Sequence, residues 1–178
     1  TEYYIYICVY VDDLLCLAEE PKKYILQIKD HFPIWEDSIE SPKMSLGADT
    51  KLVKTEYRDE FWCTCANSYI KEALRVVQEK MQENNVQVKG KGRQPYSSIS
   101  YRPELDLSPL CNEEQVQLYQ NFIGMLRWAV ELGRIDILLE IAQMSCYMAN
   151  PRIGHLHQLF HIFHYLKNHL SSWVPLDP

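Results

Sequence analysis

Two adjacent aspartates between two short apolar runs constrain the fold of this chain more than any other feature. Residues 3–9, which precede them, are almost all β-branched or aromatic, the composition of a buried strand. Residues 14–18, which follow them, form a second apolar run of similar length. Two apolar runs with a short polar break between them predict a β-hairpin, and Asp12 and Asp13 are expected at its tip.

The chemistry of the paired aspartates has two interpretations. Burying unpaired carboxylates costs several kcal/mol, so both side chains are expected to face water or a cation. Carboxylate oxygens suit Mg²⁺, and paired metal ions stabilise the attacking and leaving oxygens of an in-line phosphoryl displacement. The alternative is a turn without a ligand, because Asp tolerates the backbone dihedrals of tight turns. Residues 10–13 alone leave both interpretations open.

Length and composition indicate a folded protein with no membrane partner. The chain has 178 residues, enough for one domain or one domain with a small satellite, and 47% of them are hydrophobic. No apolar run approaches the roughly 20 residues that span a bilayer. The N-terminus begins inside a strand pattern, without a basic region or a starting methionine, so we expect no secretory signal and a chain cut from something longer.

The cysteines favour an intracellular location. The six are scattered, mostly among apolar residues, and only Cys63 and Cys65 are close together in the sequence. No second close pair completes a zinc ligand set, and a disulfide framework would need a denser arrangement. Reduced, buried thiols are therefore expected.

The charge distribution singles out the middle of the chain. The formal net charge is −6, which argues against a generic nucleic-acid binder. Residues 51–102, however, carry ten basic and six acidic side chains, a net charge of +4. Within them Lys89, Lys91 and Arg93 could follow a nucleic-acid backbone, with nearby tyrosines stacking on bases. The alternative is a solvated basic loop.

Apolar periodicity predicts a mixed architecture of the α+β class. Helical spacing, with proline, glycine or capping residues at the ends, predicts helices over 20–32, 67–83, 113–132, 136–148 and 154–168, the fourth capped by Asp136. Short strands are predicted at 44–48 and 60–65, joined by a loose polar loop into a second hairpin.

The same pattern predicts three parts of the chain. Residues 1–83 hold the two hairpins and their helices. Residues 84–112 are rich in Gly, Pro and Ser without a sustained period, which is typical of a linker loop. Residues 113–178 are predicted to form a three-helix bundle.

The histidines of the last predicted helix are a weaker candidate site. His157, His161 and His164 are spaced four and three residues apart, which places them along one helix face. They could offer imidazoles to zinc, but no acid or cysteine nearby completes a ligand set. A solvated or interhelical face is the alternative that the sequence favours.

Seven short segments share an order and spacing with one protein family. They are YVDD at 10–13, LG at 46–47, SYI at 68–70, YQNFIGMLRW at 119–128, RIDI at 134–137, MANP at 148–151 and HYLK at 164–167. The ordered set resembles the reverse transcriptases of copia-type (Pseudoviridae) retrotransposons, over nearly the whole chain. The resemblance places a partial palm in residues 1–83 and a thumb or connection bundle in 113–178.

This resemblance implies an RNA-directed DNA polymerase that works by two-metal catalysis. Asp12 and Asp13 would bind Mg²⁺ or Mn²⁺ as catalytic ligands, with Tyr10 and Val11 completing the active-site hairpin. The implied partners are an RNA or DNA template-primer, deoxynucleoside triphosphates and the rest of a polyprotein. The implied location is a cytoplasmic particle or the nucleus.

The sequence departs from the family pattern at one essential position. The family carries another catalytic aspartate on a strand well before the hairpin, and only nine residues precede Tyr10 here, none of them aspartate. The fingers are missing as well. We therefore expect metal binding only together with an N-terminal part, and no polymerase activity from this chain alone. The alternative is a non-catalytic retroelement remnant that acts, if at all, as a helical interaction module.

Overall fold

The computed structural model describes residues 4–56, 58–83, 86–88 and 91–176. Their strands and helices confirm the α+β class. They divide into two compact units, unit 1 up to Leu46 and unit 2 from Gly47 onward. No helix of these residues is both long enough and apolar enough to cross a membrane.

Unit 1 contains the predicted first hairpin and the helix after it. Strand β1 (Tyr6–Tyr10) pairs antiparallel with β2 (Asp13–Leu17). Helix α1 (Pro21–Lys29) follows, and Pro21 suits its first turn because that position needs no backbone N–H donor. A 3₁₀ turn (Glu36–Ser38) and the two-residue strand β3 (Met44–Ser45) complete the unit. None of the described side chains of unit 1 is buried.

The strands of unit 2 differ from the predicted second hairpin. Strand β4 (Ala48–Thr55) pairs antiparallel with β5 (Arg58–Cys65), whose other edge takes β6 (Val174–Pro175). The predicted strand 44–48 is found only at residues 44–45 and 48, and the loose polar loop predicted after it was wrong, because residues 49–55 are themselves strand. Their polar side chains stay partly or fully exposed while Leu52 and Val53 stand opposite Trp62 and Phe61, so the pairing tolerates a polar composition.

Four helices of unit 2 enclose the main core. They are α2 (Asn67–Glu83), α3 (Glu113–Glu131), α4 (Leu138–Ser145) and α5 (Ile153–Asn168). The Phe122 ring lies edge-on to the rings of Phe160 and Phe163, with centroids 5.3 and 5.2 Å away. Ile70 and Val77 of α2 belong to the same buried cluster. Helix α2 therefore shares a core with the three C-terminal helices, across the predicted linker.

The fourth predicted helix is shorter than expected at both ends. Residues Ile135–Ile137 form a 3₁₀ turn, and the α-helix occupies only Leu138–Ser145. Asp136 is not a cap, which corrects the sequence-based assignment. Its two carboxylate oxygens instead accept hydrogen bonds from Nε and Nη2 of Arg134, at 2.8 and 2.7 Å. An ion pair with a buried guanidinium outcompetes a helix cap for the same carboxylate.

The described part of the predicted linker lies against the helices of unit 2. Val86 and Val88 pack against the core, and a 3₁₀ turn covers Pro103–Leu105. The Ser97 backbone N–H donates to Gln158 Oε1 at 2.9 Å, and the Cys111 N–H donates to the Pro151 carbonyl at 2.9 Å. Contacts of this kind hold the segment from 91 to 112 on the helices although it has almost no regular structure of its own.

Candidate functional site

The tip of the first hairpin is a two-residue turn. Tyr10 pairs with Asp13, which leaves Val11 and Asp12 as the central residues. Val11 has a φ of 54°, in the left-handed region that a β-branched residue rarely adopts, and its side chain is 87% exposed. Two-residue hairpin turns favour glycine or asparagine at such a position. The backbone at the tip is therefore strained without any compensating burial of the valine.

Both candidate metal ligands lie in the open. The carboxylates of Asp12 and Asp13 are exposed, and neither forms a hydrogen bond or ion pair with another described residue. They remain available to a cation, and Mg²⁺ is usually held by one or two carboxylates together with water and phosphate oxygens. Two adjacent acidic groups in that setting fit part of such a ligand shell.

The hairpin alone does not complete a metal centre. In the described parts of the chain, no three His, Cys, Asp or Glu side chains come together in a way that could hold a metal ion. Further ligands for an ion at Asp12 and Asp13 would have to be phosphate oxygens, water or groups outside these residues. The two carboxylates are thus a partial site.

The strands that carry the aspartates are poorly covered, although the composition of residues 3–9 is that of a buried strand. All five residues of β1 are exposed, and its large apolar side chains keep from 42% to 68% of their surface accessible. Within the described parts of the chain, this two-stranded sheet also has no further strand paired to either of its edges. This hairpin has the surface of an element that another strand or another layer normally covers.

The predicted nucleic-acid-binding residues belong to unit 2. Lys89 lies outside the described residues. Lys91 and Arg93 are exposed, and Asn168 Nδ2 of α5 donates a hydrogen bond to the Lys91 carbonyl at 3.2 Å. Gly92 between them has a φ of 53° and lies so close to α5 that a Cβ there would be 2.7 Å from His164 Cδ2. The basic residues therefore sit beside the last turns of α5.

The histidines of α5 occupy different surroundings. His157 is exposed, whereas the His161 and His164 rings are half-buried with centroids 6.2 Å apart. His155 is the buried one. Its Nδ1 accepts from the Arg152 backbone N–H at 3.1 Å and its Nε2 donates to the Pro103 carbonyl at 3.0 Å, so it joins α5 to the segment before α3.

Sequence reasoning missed a polar cluster around Arg134. This guanidinium is only 1% exposed, pairs with Asp136 and leaves its Nη1 buried without a described partner. Tyr165 of α5 donates its hydroxyl to Asp136 Oδ2 at 2.9 Å. Burial alone would raise the pKa of Asp136, but the hydrogen bonds and charge of Arg134, with help from Tyr165, hold that pKa below its usual range. An arginine and an aspartate two residues apart were the only signal in the sequence.

Comparisons with protein-family models, with curated proteins and with solved structures found no match to this chain.

Proposed function

We propose that this chain is part of a copia-type RNA-directed DNA polymerase and contributes two metal-binding carboxylates to its nucleotidyl-transfer centre. The observation that carries the proposal is the hairpin tip: Asp12 and Asp13 follow an apolar strand, stand exposed at a strained turn and have no partner among the described residues. Backbone strain without a packing benefit concentrates at functional sites. The ordered motifs of the sequence supply the family assignment.

The proposed roles follow from the chemistry of the tip. Asp12 and Asp13 hold the divalent ions, either Mg²⁺ or Mn²⁺, through carboxylate oxygens, and Tyr10 and Val11 fix the turn that presents them. The ions, when bound, stabilise the charge on the phosphoryl group being transferred. Template, primer and deoxynucleoside triphosphate are the proposed substrates, and the rest of a polyprotein is the proposed partner.

We also propose that the chain has no polymerase activity by itself. Two carboxylates hold a divalent ion weakly, because firm binding needs several oxygen ligands fixed together. A primer-extension assay with the isolated chain and Mg²⁺ should show no templated nucleotide addition. Templated addition would overturn this part of the proposal.

The metal site can be tested without activity. Titration with Mn²⁺ should broaden the backbone NMR signals of residues 10–13 selectively, since the ion is paramagnetic and binds at the tip. Asp12→Asn and Asp13→Asn should each reduce the broadening, and the double variant should abolish it. Asp37→Asn, which removes another exposed carboxylate of unit 1, is the control. Uniform broadening that the double variant leaves unchanged would contradict the proposed site.

The coding sequence on the 5′ side of the Thr1 codon offers an independent check. An open frame that encodes a strand with an aspartate and a fingers region would support the polymerase. A stop codon or unrelated sequence would favour the remnant.

The second candidate function is a helical interaction module without catalysis. Exposed apolar side chains near the start of α4 favour it, since Ile135, Leu138 and Leu139 are each more than half exposed. It predicts no selective effect of Mn²⁺ at the hairpin. The Mn²⁺ titration therefore separates the two candidates.

A further inference from the structure

A cleft between α2 and α5 in unit 2 takes no part in the proposed metal chemistry. Its volume is about 540 Å³, within the usual range for small-ligand sites. One stripe of α2 lines it together with residues from the following segment and the last turns of α5. Leu74, Val77 and Phe163 form a buried apolar floor. The floor of the cleft is therefore apolar.

Three glutamine side chains surround that floor. Gln78 and Gln82 of α2 and Gln87 of the following segment all line the cleft and are exposed. None of the three amides hydrogen-bonds to another described residue. Each amide offers a donor and an acceptor side by side, which is the pattern that matches the edge of a nucleobase.

One cationic side chain lines the cleft, on its α5 side. Lys167 is the one lysine or arginine among the described lining residues, and it has no ion pair with any of them. Asn168, the next residue, holds the Lys91 carbonyl, and Gly92 lies against His164, which also lines the cleft. The backbone at Lys91 and Gly92 therefore lies beside the same helix end, and Lys91 and Arg93 on either side of Gly92 are exposed. In a chain whose net charge is −6, basic residues near one end of the cleft favour an anion there.

We propose that this cleft binds an unpaired nucleotide of a single-stranded nucleic acid. The base lies on the apolar floor and hydrogen-bonds to the glutamine amides, and the adjoining phosphates contact Lys167, Lys91 and Arg93. A fatty acid or an apolar peptide side chain would leave three amides unused, whereas a nucleotide uses the amides, the floor and the cations together. The inference extends the nucleic-acid part of the proposed function to a second site and does not require Asp12 or Asp13.

Binding of labelled oligonucleotides to the full chain tests the proposal. Fluorescence anisotropy with a fluorescein-labelled 12-residue oligodeoxyadenylate, in EDTA and at low salt, should show binding. An abasic 12-mer with the same phosphates should bind about fivefold to tenfold more weakly, because it offers no base to the cleft. EDTA removes divalent metal, so failure of the metal site and failure of the cleft give different results.

Two variants separate the base contacts from the phosphate contacts. The double substitution Gln78→Ala with Gln82→Ala should abolish the preference for the oligodeoxyadenylate and leave the salt dependence unchanged. Lys167→Met should reduce the slope of log affinity against log salt by roughly 0.7, the value for one phosphate contact with a single strand. The matched controls are Gln117→Ala and Arg127→Met, at exposed positions of α3 that do not line the cleft.

The outcomes decide the proposal either way. Equal affinity for the abasic 12-mer, or no binding at low salt, would overturn it. So would a Lys167→Met variant that behaves like Arg127→Met. Far-UV circular dichroism of each variant checks that the exposed substitutions leave the helices intact.

Discussion

Val11 at the hairpin tip has a backbone conformation that valine disfavours. A valine at a φ of 54° places its Cβ against the following carbonyl, and its exposed side chain gains little packing in return. Glycine would avoid the clash at the cost of a more flexible unfolded chain. The strain cost exceeds the entropic cost, because a β-branched side chain is the least tolerant of this region.

We predict that Val11→Gly stabilises the first hairpin by about 1 kcal/mol, the difference between relieved strain and added chain entropy. Hydrogen exchange of the Cys8 and Leu15 amides, which belong to the same pair of the ladder, measures the change as the free energy of local opening. Val9→Gly is the control, since Val9 lies within β1 and has no positive φ, and it should weaken the hairpin. Equal effects of the two substitutions would contradict strain at Val11.

The Arg134 cluster is the residue-scale feature that matters most for unit 2. A guanidinium that is 1% exposed needs a counter-charge, and Asp136 supplies it through two hydrogen bonds. Because the folded pKa of Asp136 lies below its unfolded value, its stabilising contribution is present above the unfolded pKa near 3.9. That contribution is lost as the pH falls below this value.

Asp136→Asn should therefore destabilise unit 2 by about 3 kcal/mol at pH 7, since it leaves a buried cation without a counter-charge. Urea unfolding at pH 7 and at pH 3 measures the effect, and the difference from the original chain should shrink at the lower pH. Glu131→Gln, an exposed carboxylate of α3, should change little at either pH. A pH-independent difference would argue against the ion pair.

At the scale of the elements, the start of α5 is held by the segment before α3. Asp106 accepts hydrogen bonds from Tyr101 and from the backbone and hydroxyl of Ser108, and the Ser108 hydroxyl accepts from the Gly154 N–H at 2.7 Å. Burial would raise the pKa of Asp106, but these hydrogen bonds hold it below its usual range. A carboxylate near a helix N-terminus also suits the helix dipole.

Two helical glycines make a matched pair for testing this junction. A Cβ at Gly154 would overlap the Asp106 carboxylate, which cannot move without losing its hydrogen bonds, whereas a Cβ at Gly124 in α3 would meet nothing within 4 Å. Gly154→Ala should destabilise unit 2 by about 2 kcal/mol, as hydrogen bonds to a partly buried charged group are lost. Gly124→Ala should stabilise it by about 0.5–1 kcal/mol through helix propensity.

Thermal unfolding followed by circular dichroism at 222 nm compares the two variants. A shift of the melting temperature in the same direction for both substitutions would contradict this junction.

The segment before α3 ends in a capping box at Asn112. The Asn112 side chain accepts a hydrogen bond from the Gln115 N–H at 2.9 Å, so α3 begins at a fixed residue.

At the scale of the whole molecule, the buried core is distributed unevenly between the two units. Among the described residues, the buried apolar side chains all belong to unit 2, whereas the hairpin, short helix and turns of unit 1 contain none. Exposed apolar edge strands pair with one another between molecules. Strand β1 has both properties, since it is an edge strand and its apolar side chains are exposed.

We accordingly expect the isolated chain to aggregate through β1, and Val9→Lys should reduce static light scattering at least severalfold, because a charge on an edge strand opposes pairing. Ile99→Lys removes an even more exposed apolar side chain in unit 2, at 85% against 68%, and serves as the control. A monodisperse original chain would contradict the expectation.

Local signals in the sequence were sufficient for most elements. The alternation of apolar runs with Asp12 and Asp13 predicted the hairpin, and the helical spacing in α2, α3 and α5 predicted those helices to within a residue or two at each end. These features depend on residues close together in the chain, where backbone propensity and periodicity act directly. Strand β4 escaped prediction because its composition is polar and its partner strand decides its conformation.

The sequence by itself thus determined the α+β class, the exposed aspartate pair and the course of the main helices. Only the tertiary structure decided that α2 shares its core with α3 and α5, that Asp136 pairs with Arg134, and that Asn168 of α5 binds the Lys91 carbonyl. These contacts join residues that come together only when the helices and strands pack, and the role of Asp136 depends on which of two partners its carboxylate binds. The sequence pattern cannot predict these contacts, because they depend on burial and on distances between residues in the folded chain.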